Sequence, residues 1–167
     1  MEKQNIYQDI SARTGGEIYL GVVGPVRSGK STFIKRFMEL LVLPEIKDEN
    51  ERKRTMDELP QSGTGKMVMT TEPKFIPKEA AELPMEDMKI KIRLIDCVGF
   101  MIPDAGGNLE NGQERLVKTP WFDYEVPFTK AAEFGTRKVI RDHSTIGILV
   151  TADGSFGEIP RDSYVEA

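Results

Sequence analysis

The sequence predicts an α/β fold built on a mostly parallel sheet with an antiparallel edge strand. Three observations carry that reading. An apolar run, "EIYLGVVG" (Glu17 to Gly24), ends in glycine; "KIKIRLID" (Lys89 to Asp96) alternates apolar and charged residues; "TIGILVT" (Thr145 to Thr151) is a further apolar run. Stretches of helical periodicity separate them, and strands alternating with helices favour parallel pairing.

Each element follows from its residues. "EIYLGVVG" suits a buried strand. After the glycine-rich loop, Phe33, Phe37, Leu40 and Leu41 recur at helical spacing, flanked by Ile34 and Met38, until Pro44 stops the pattern. "KDENERKRTMDELP" mixes charge signs as a solvated helix does. "QSGTGKMVMTTEPKF" passes from loop into strand. Pro73, Pro77 and Pro84 make the next segment an edge strand with a broken helical turn after it. In "KIKIRLID", Ile90, Ile92 and Leu94 share one face and Lys89, Lys91 and Arg93 the other, a half-buried strand. From Cys97 to Tyr124 the glycine, proline and asparagine content predicts a long loop of the functional or mobile kind. "PFTKAAEFGTRKVIRDH" sets Phe128, Ala132, Gly135 and Val139 on one helical face, and "TIGILVT" reads as a last buried strand.

The chain has 167 residues, enough for one domain (1–167) with a useful core. Apolar residues at 39% and charged residues at 30% exclude a disordered chain. A formal net charge of -4, with cations interspersed among acids, excludes the basic field of a nucleic-acid binder. Cys97, the one cysteine, sits in an apolar setting and fits a reducing compartment. His143 is the one histidine, which excludes a histidine metal cluster and suits a helix C-terminus. "MEKQNIYQDI" lacks the apolar core of a secretory signal, and no run approaches the ~20 residues of a membrane span. A cytosolic protein is expected. "GEIPRDSYVEA" reads as the first turn of a helix cut short, so a piece of a longer, C-terminally truncated protein is expected too.

The chemistry concentrates in Gly24-Pro25-Val26-Arg27-Ser28-Gly29-Lys30-Ser31, which fits G-x-x-x-x-G-K-[ST], the Walker A pattern, between a strand and a helix. Gly24 and Gly29 let the backbone wrap around a phosphate as an anion nest. Lys30 opens the helix, where the dipole favours negative charge, and its ammonium reaches the outer phosphates. Ser31 offers a hydroxyl to magnesium, and Thr32 completes the binding set. The chain is therefore expected to be a P-loop nucleotide-binding protein. A second segment, "SGTGKM", is a decoy, because Pro60 stands where the first glycine belongs and Met67 replaces the hydroxyl.

Two further segments carry the candidate switch. Asp96 ends its strand and opens "DCVG", a D-x-x-G whose carboxylate would hold magnesium and whose Gly99 N–H would sense the terminal phosphate. In "MTTEP", Thr70 or Thr71 would close over metal and phosphate, although threonine pairs are ordinary strand residues as well. Phe100 stands where regulatory GTPases place a water-orienting glutamine. Arg115, Arg137 and Arg141 are candidate charge-stabilising arginines, and no guanine-reading N-K-x-D occurs.

"GGEIYLGVVGPVRSGKSTFIKRFMELLVLPEI", "DELPQS", "MTTEPKF", "IRLIDCVGF", "TPWF" and "AAEFGTRKVIRDHSTIGILVT" together resemble the stage IV sporulation protein A family, the coat morphogenetic ATPases of endospore-forming bacteria. The resemblance covers essentially the whole chain. It implies a translation-factor-related (TRAFAC-like) P-loop domain that hydrolyses ATP with Mg2+ rather than GTP. It implies self-association into a static polymer, the basement layer of the coat around the forespore, in the mother-cell cytoplasm. Its further partners would be a small amphipathic membrane-associated protein and other coat morphogenetic proteins, met through regions outside this chain. By the same resemblance Thr70 and Thr71 are sensor threonines, and Lys30, Asp96, Thr70 and Thr71 carry hydrolysis. Ser31, Asp96 and Thr71 would hold the metal. From the residues alone, a GTPase switch and a nucleotide-stabilised structural scaffold remain open beside the ATPase.

Overall fold

The computed structural model describes residues 12–60, 71–85, 88–102, 109–110, 112–152 and 162. A sheet in the order β2-β3-β1-β8 forms its centre. β1 (Glu17–Val23) runs parallel to β3 (Met88–Asp96) and to β8 (Ile146–Leu149), and β2 (Lys74–Met85) lies antiparallel on the outer side of β3. The mixed sheet with one antiparallel edge is the arrangement read from the sequence.

Strand alternation sends side chains to two helical layers. Leu20 and Val22 of β1, with Ile90, Ile92 and Leu94 of β3, join Ile34, Met38 and Val42 in the main core. The opposite face carries Val23, Ile95 and Cys97, which meet Val139. The first layer is α1 (Lys30–Phe37) with a π-helical turn, Met38–Val42, that continues it into a 3-10 turn at Leu43–Glu45. The second is α3 (Phe128–Lys138), prolonged by a π-helical turn, Val139–His143. Phe128, Ala132, Gly135 and Val139 are buried as their spacing predicts, and Ala131 and Thr136 join them. α2 (Glu49–Asp57) is the solvated helix, capped by Asp48, whose carboxylate accepts from the Glu51 amide at 2.7 Å.

Four expectations need correction. The α1 stripe is not centred on Leu40 and Leu41, which are exposed; Ile34, Met38 and Val42 are the buried line. Those residues are spaced by four, and the wider π turn keeps them inward while rotating the leucines out. Pro77 and Pro84 do not break β2 into strand and helical turn. The strand continues to Met85, and a register shift between Ile76 and Ala81 accommodates the irregularity at its edge. The stretch from Cys97 to Tyr124 is not one long loop: its described part forms hairpins, β4 (Leu109–Glu110) with β5 (Gln113–Glu114), and β6 (Leu116–Thr119) with β7 (Phe122–Pro127). Alternation in "LVKT" and "FDYEVP" was the available signal, masked by the surrounding turn residues. Finally, β8 is paired on the β1 side and is not buried, with Ile146 39% and Leu149 65% exposed.

Leu94 is fully buried in a central strand between β1 and β2. Leu94→Ala is expected to cost about 2–5 kcal/mol through lost transfer energy and the cavity left behind. Denaturant unfolding checks this, and a loss below about 1 kcal/mol would mean the main core is not organised around β3.

Candidate nucleotide-binding site

The loop after β1 is shaped by residues in unusual backbone conformations. Gly24 has φ 146°, Arg27 φ 64° and Gly29 φ 95°. Left-handed residues set among right-handed ones are the backbone condition for an anion nest, and Gly29 delivers the chain directly into α1. Gly24 also needs to be glycine for space. A Cβ there would stand 2.1 Å from the Val150 carbonyl oxygen, just beyond β8. Arg27 carries a side chain at a φ that favours glycine, a cost tolerated at functional loops.

Lys30 begins α1 and is only 5% exposed. Its Nζ folds back on the loop and donates to the Pro25 carbonyl at 2.5 Å. Burial pushes its pKa below the ordinary lysine value, and the neighbouring Cys97 and Asp96 act in the opposite direction. Gly99 lies against this ammonium: a Cβ there would meet Nζ at 2.5 Å and the Gly24 carbonyl at 2.2 Å. Gly99, at φ 84°, therefore brings the D-x-x-G backbone up to the glycine-rich loop. Phe100 fastens the same junction. Its carbonyl accepts from the Val26 amide at 2.9 Å, and its side chain joins Val26 and Ile102 in a small apolar cluster.

Asp96 ends β3 beside the start of α1. Ser31 Oγ donates to its Oδ2 at 3.0 Å, while Oδ1 is buried without a hydrogen-bond partner among the described residues. Burial raises the Asp96 pKa, partly offset by the Ser31 hydrogen bond and by the charges of Lys30 and Lys74. Ser28 Oγ is likewise buried and unpartnered among the described residues. A hydroxyl, a carboxylate with one uncommitted oxygen and a nearby ammonium fit magnesium bound in company with phosphates, since magnesium takes few ligands from protein and the rest from phosphate and water. Among the described residues no group of three or more His, Cys, Asp and Glu side chains forms a self-sufficient metal cage.

The other expected site residues are distributed less tightly. Val26 is buried, and Thr32 is exposed on the first turn of α1. Thr71 is 5% exposed, and its carbonyl oxygen lies against Gly135 of α3. Thr70 and the decoy segment "SGTGKM" fall outside the described residues. The candidate arginines have other surroundings. The Arg115 guanidinium lies 4.6 Å from the Phe128 ring centroid, Arg137 pairs with Glu133 at 3.0 Å, and Arg141 is exposed. His143 ends the α3 π turn and meets Phe75 edge-on.

Residues 1–167 match the family described as stage IV sporulation protein A, ATPase domain. The chain belongs to the stage IV sporulation protein A family. It is 56% identical over its full length to stage IV sporulation protein A of Bacillus subtilis (strain 168), covering 34% of that protein. It is 55% identical to the Bacillus anthracis protein, again over 100% of the chain and 34% of the relative. For the Clostridioides difficile (strain 630) protein the identity is 58% over 97% of the chain and 33% of the relative. The chain thus spans about a third of the length of these curated relatives. No solved structure matches it significantly.

Two neighbours of Asp96 were not singled out from the sequence as part of the candidate site. Lys74 pairs in register with Asp96 across β2 and β3 and adds positive charge to the carboxylate's surroundings. Antiparallel pairing alone brings it there, so only the register reveals it. Cys97 backs the site from beneath: its thiol donates to the Val22 carbonyl at 3.5 Å, and burial raises its pKa.

Burial disfavours the ionised form of Asp96, so a neutral isostere relieves a cost of the ligand-free fold. Asp96→Asn is expected to be at least as stable as the parent near pH 7 without nucleotide. A raised folded pKa costs stability as pH rises from the ordinary value near 3.8 through the folded value, so the difference should vanish below 3.8. Thermal unfolding at both pH values checks this. A variant clearly less stable near neutrality would mean that the contacts to Ser31 and Lys30 outweigh burial.

Proposed function

We propose that the chain is a magnesium-dependent ATP hydrolase domain, residues 1–167, of the translation-factor-related P-loop class. The observation that supports this most directly is the convergence of Lys30, Ser31, Asp96 and Gly99 on one glycine-rich turn. Membership of a family described by its ATPase domain favours ATP over GTP.

In this reading the loop from Gly24 to Thr32 holds the phosphates, and Lys30 exchanges its Pro25 carbonyl for the outer phosphate oxygens. Ser31 and Asp96 would hold Mg2+, which when bound would supply positive charge to the phosphates. Gly99 would present its N–H to the terminal phosphate, and Thr70 and Thr71 would contact the same phosphate, with Thr71 also available to the metal. Turnover would drive homopolymerisation into the basement layer of the spore coat at the forespore surface, in the mother-cell cytoplasm. The small amphipathic membrane-associated protein and other coat proteins would be partners of the assembled protein. Among the described residues no helix is long and apolar enough to cross a membrane.

Phosphate release measured side by side with ATP and GTP tests the reading. Release from ATP with magnesium, and little from GTP, is expected; preference for GTP would replace the ATPase with a GTPase switch, and no release from either would leave a scaffold. Lys30→Ala removes charge-assisted hydrogen bonds worth roughly 2–4 kcal/mol, so ATP affinity should fall about 30- to 700-fold. Equilibrium nucleotide titration reads this, and affinity within threefold of the parent would contradict the phosphate-loop role. The Thr70→Ala, Thr71→Ala double variant should bind ATP yet release phosphate slowly, because hydroxyls that engage only in a closed state act on kcat. Equal loss in affinity and kcat would mean these threonines only shape the pocket.

A further inference from the structure

Gly135 lies in the interior of α3, where glycine is the weakest helix former after proline, and its φ is not in the left-handed region. Backbone freedom therefore does not explain it. Space does. A Cβ at this position would stand 3.0 Å from the Thr71 carbonyl oxygen and 3.1 Å from Cη2 of Trp121. The missing side chain makes a notch in the helix, and two separate segments of chain seat in it.

Both segments are held from behind. Trp121 sits at the tip of the hairpin between Thr119 and Phe122, and its ring leans on Phe134 with centroids 5.4 Å apart. At its far end the same hairpin is tied to α3, since the Phe128 amide donates to the Arg115 carbonyl at 2.8 Å. Trp121 thus forms one wall of the notch. Thr71 lies three residues before Lys74, which pairs in register with Asp96. The next residue of α3, Thr136, places its hydroxyl 4.0 Å from the thiol of Cys97, the residue after Asp96. One turn of α3 therefore touches both segments assigned to phosphate sensing.

We propose that Gly135 and Trp121 are positioning residues for hydrolysis: the notch at Gly135, walled by Trp121, fixes the Thr71 backbone relative to Asp96. This rests on the reading of Thr70 and Thr71 as closing residues. A methyl at Gly135 forces the Thr71 carbonyl or the Trp121 ring to give by a few tenths of an ångström. The carbonyl belongs to a buried residue on the direct route into β2, so displacement there is transmitted toward the site.

The test is Gly135→Ala in the intact protein, with ATP affinity, kcat and thermal stability measured on one preparation. Alanine favours helix, so stability should hold. Affinity should stay within about twofold while kcat falls about fivefold, the scale expected of a small misplacement. Adding Trp121→Phe, which trims the ring from the notch, should restore kcat to within about twofold of Trp121→Phe alone. Trp121 is the one tryptophan of this sequence. Its emission, with Trp121→Phe as blank, should change when magnesium and a non-hydrolysable ATP analogue are added, and the change should shrink in Gly135→Ala. Unchanged kcat in Gly135→Ala, or losses of affinity or stability matching the loss of kcat, would overturn the proposal. Wild-type turnover by the Thr70/Thr71 double alanine variant would sink the threonine reading instead. A slow double variant beside a fully active Gly135→Ala would sink this inference alone.

Discussion

A buried ammonium is the constraint around which this structure is arranged. Lys30 is held inside the turn it belongs to, with the Pro25 carbonyl as its partner and Gly99 packed against it. A lysine removed from water keeps its charge only where polar partners compensate, and that requirement shapes everything nearby. The turn bends through left-handed residues so that a carbonyl faces Nζ. Gly99 must lack a side chain so that the next segment approaches, and Gly24 must lack one so that the chain leaving β8 at Val150 lies alongside.

The same region leaves polar atoms unsatisfied among the described residues. Ser28 Oγ and Asp96 Oδ1 are buried without partners there, and each such group typically costs about 1–3 kcal/mol. A chain under selection for stability alone gains nothing from this arrangement. In the proposed function, phosphate oxygens and magnesium would supply the partners these atoms lack. The sheet gives this turn a firm base, because the C-terminal ends of β1 and β3 are covered on both faces, by Val22 and Leu94 on one side and Val23 and Ile95 on the other, and carry Gly24 and Asp96.

The two helical layers divide the work. α1 begins at the site and anchors its far end in the main core through Ile34, Met38 and Val42. α3 does not enter the phosphate loop. Its inner face instead touches what surrounds the loop: Val139 packs in the cluster containing Val23, Thr136 meets Cys97, and Gly135 receives Thr71. That makes α3 the element through which movement in either flanking segment would reach the other.

Local pattern alone settled a great deal. The strand entering a glycine-rich turn, the lysine and serine opening a helix, the alternating β3 ending in Asp96 and the parallel core of the sheet were all legible, because each depends on residues close in sequence. So was the need for glycine at Gly24 and Gly99. What stayed hidden depends on residues far apart. The register that sets Lys74 beside Asp96, the exposure of β8, the π turn that moves Leu40 and Leu41 out of the core and the hairpins inside a turn-rich stretch are consequences of packing between elements. Gly135 shows the division most clearly. Its place on the buried face of a helix could be read from periodicity. Why it lacks a side chain could not, because Thr71 and Trp121 come to it from other parts of the chain and only the folded structure brings them together.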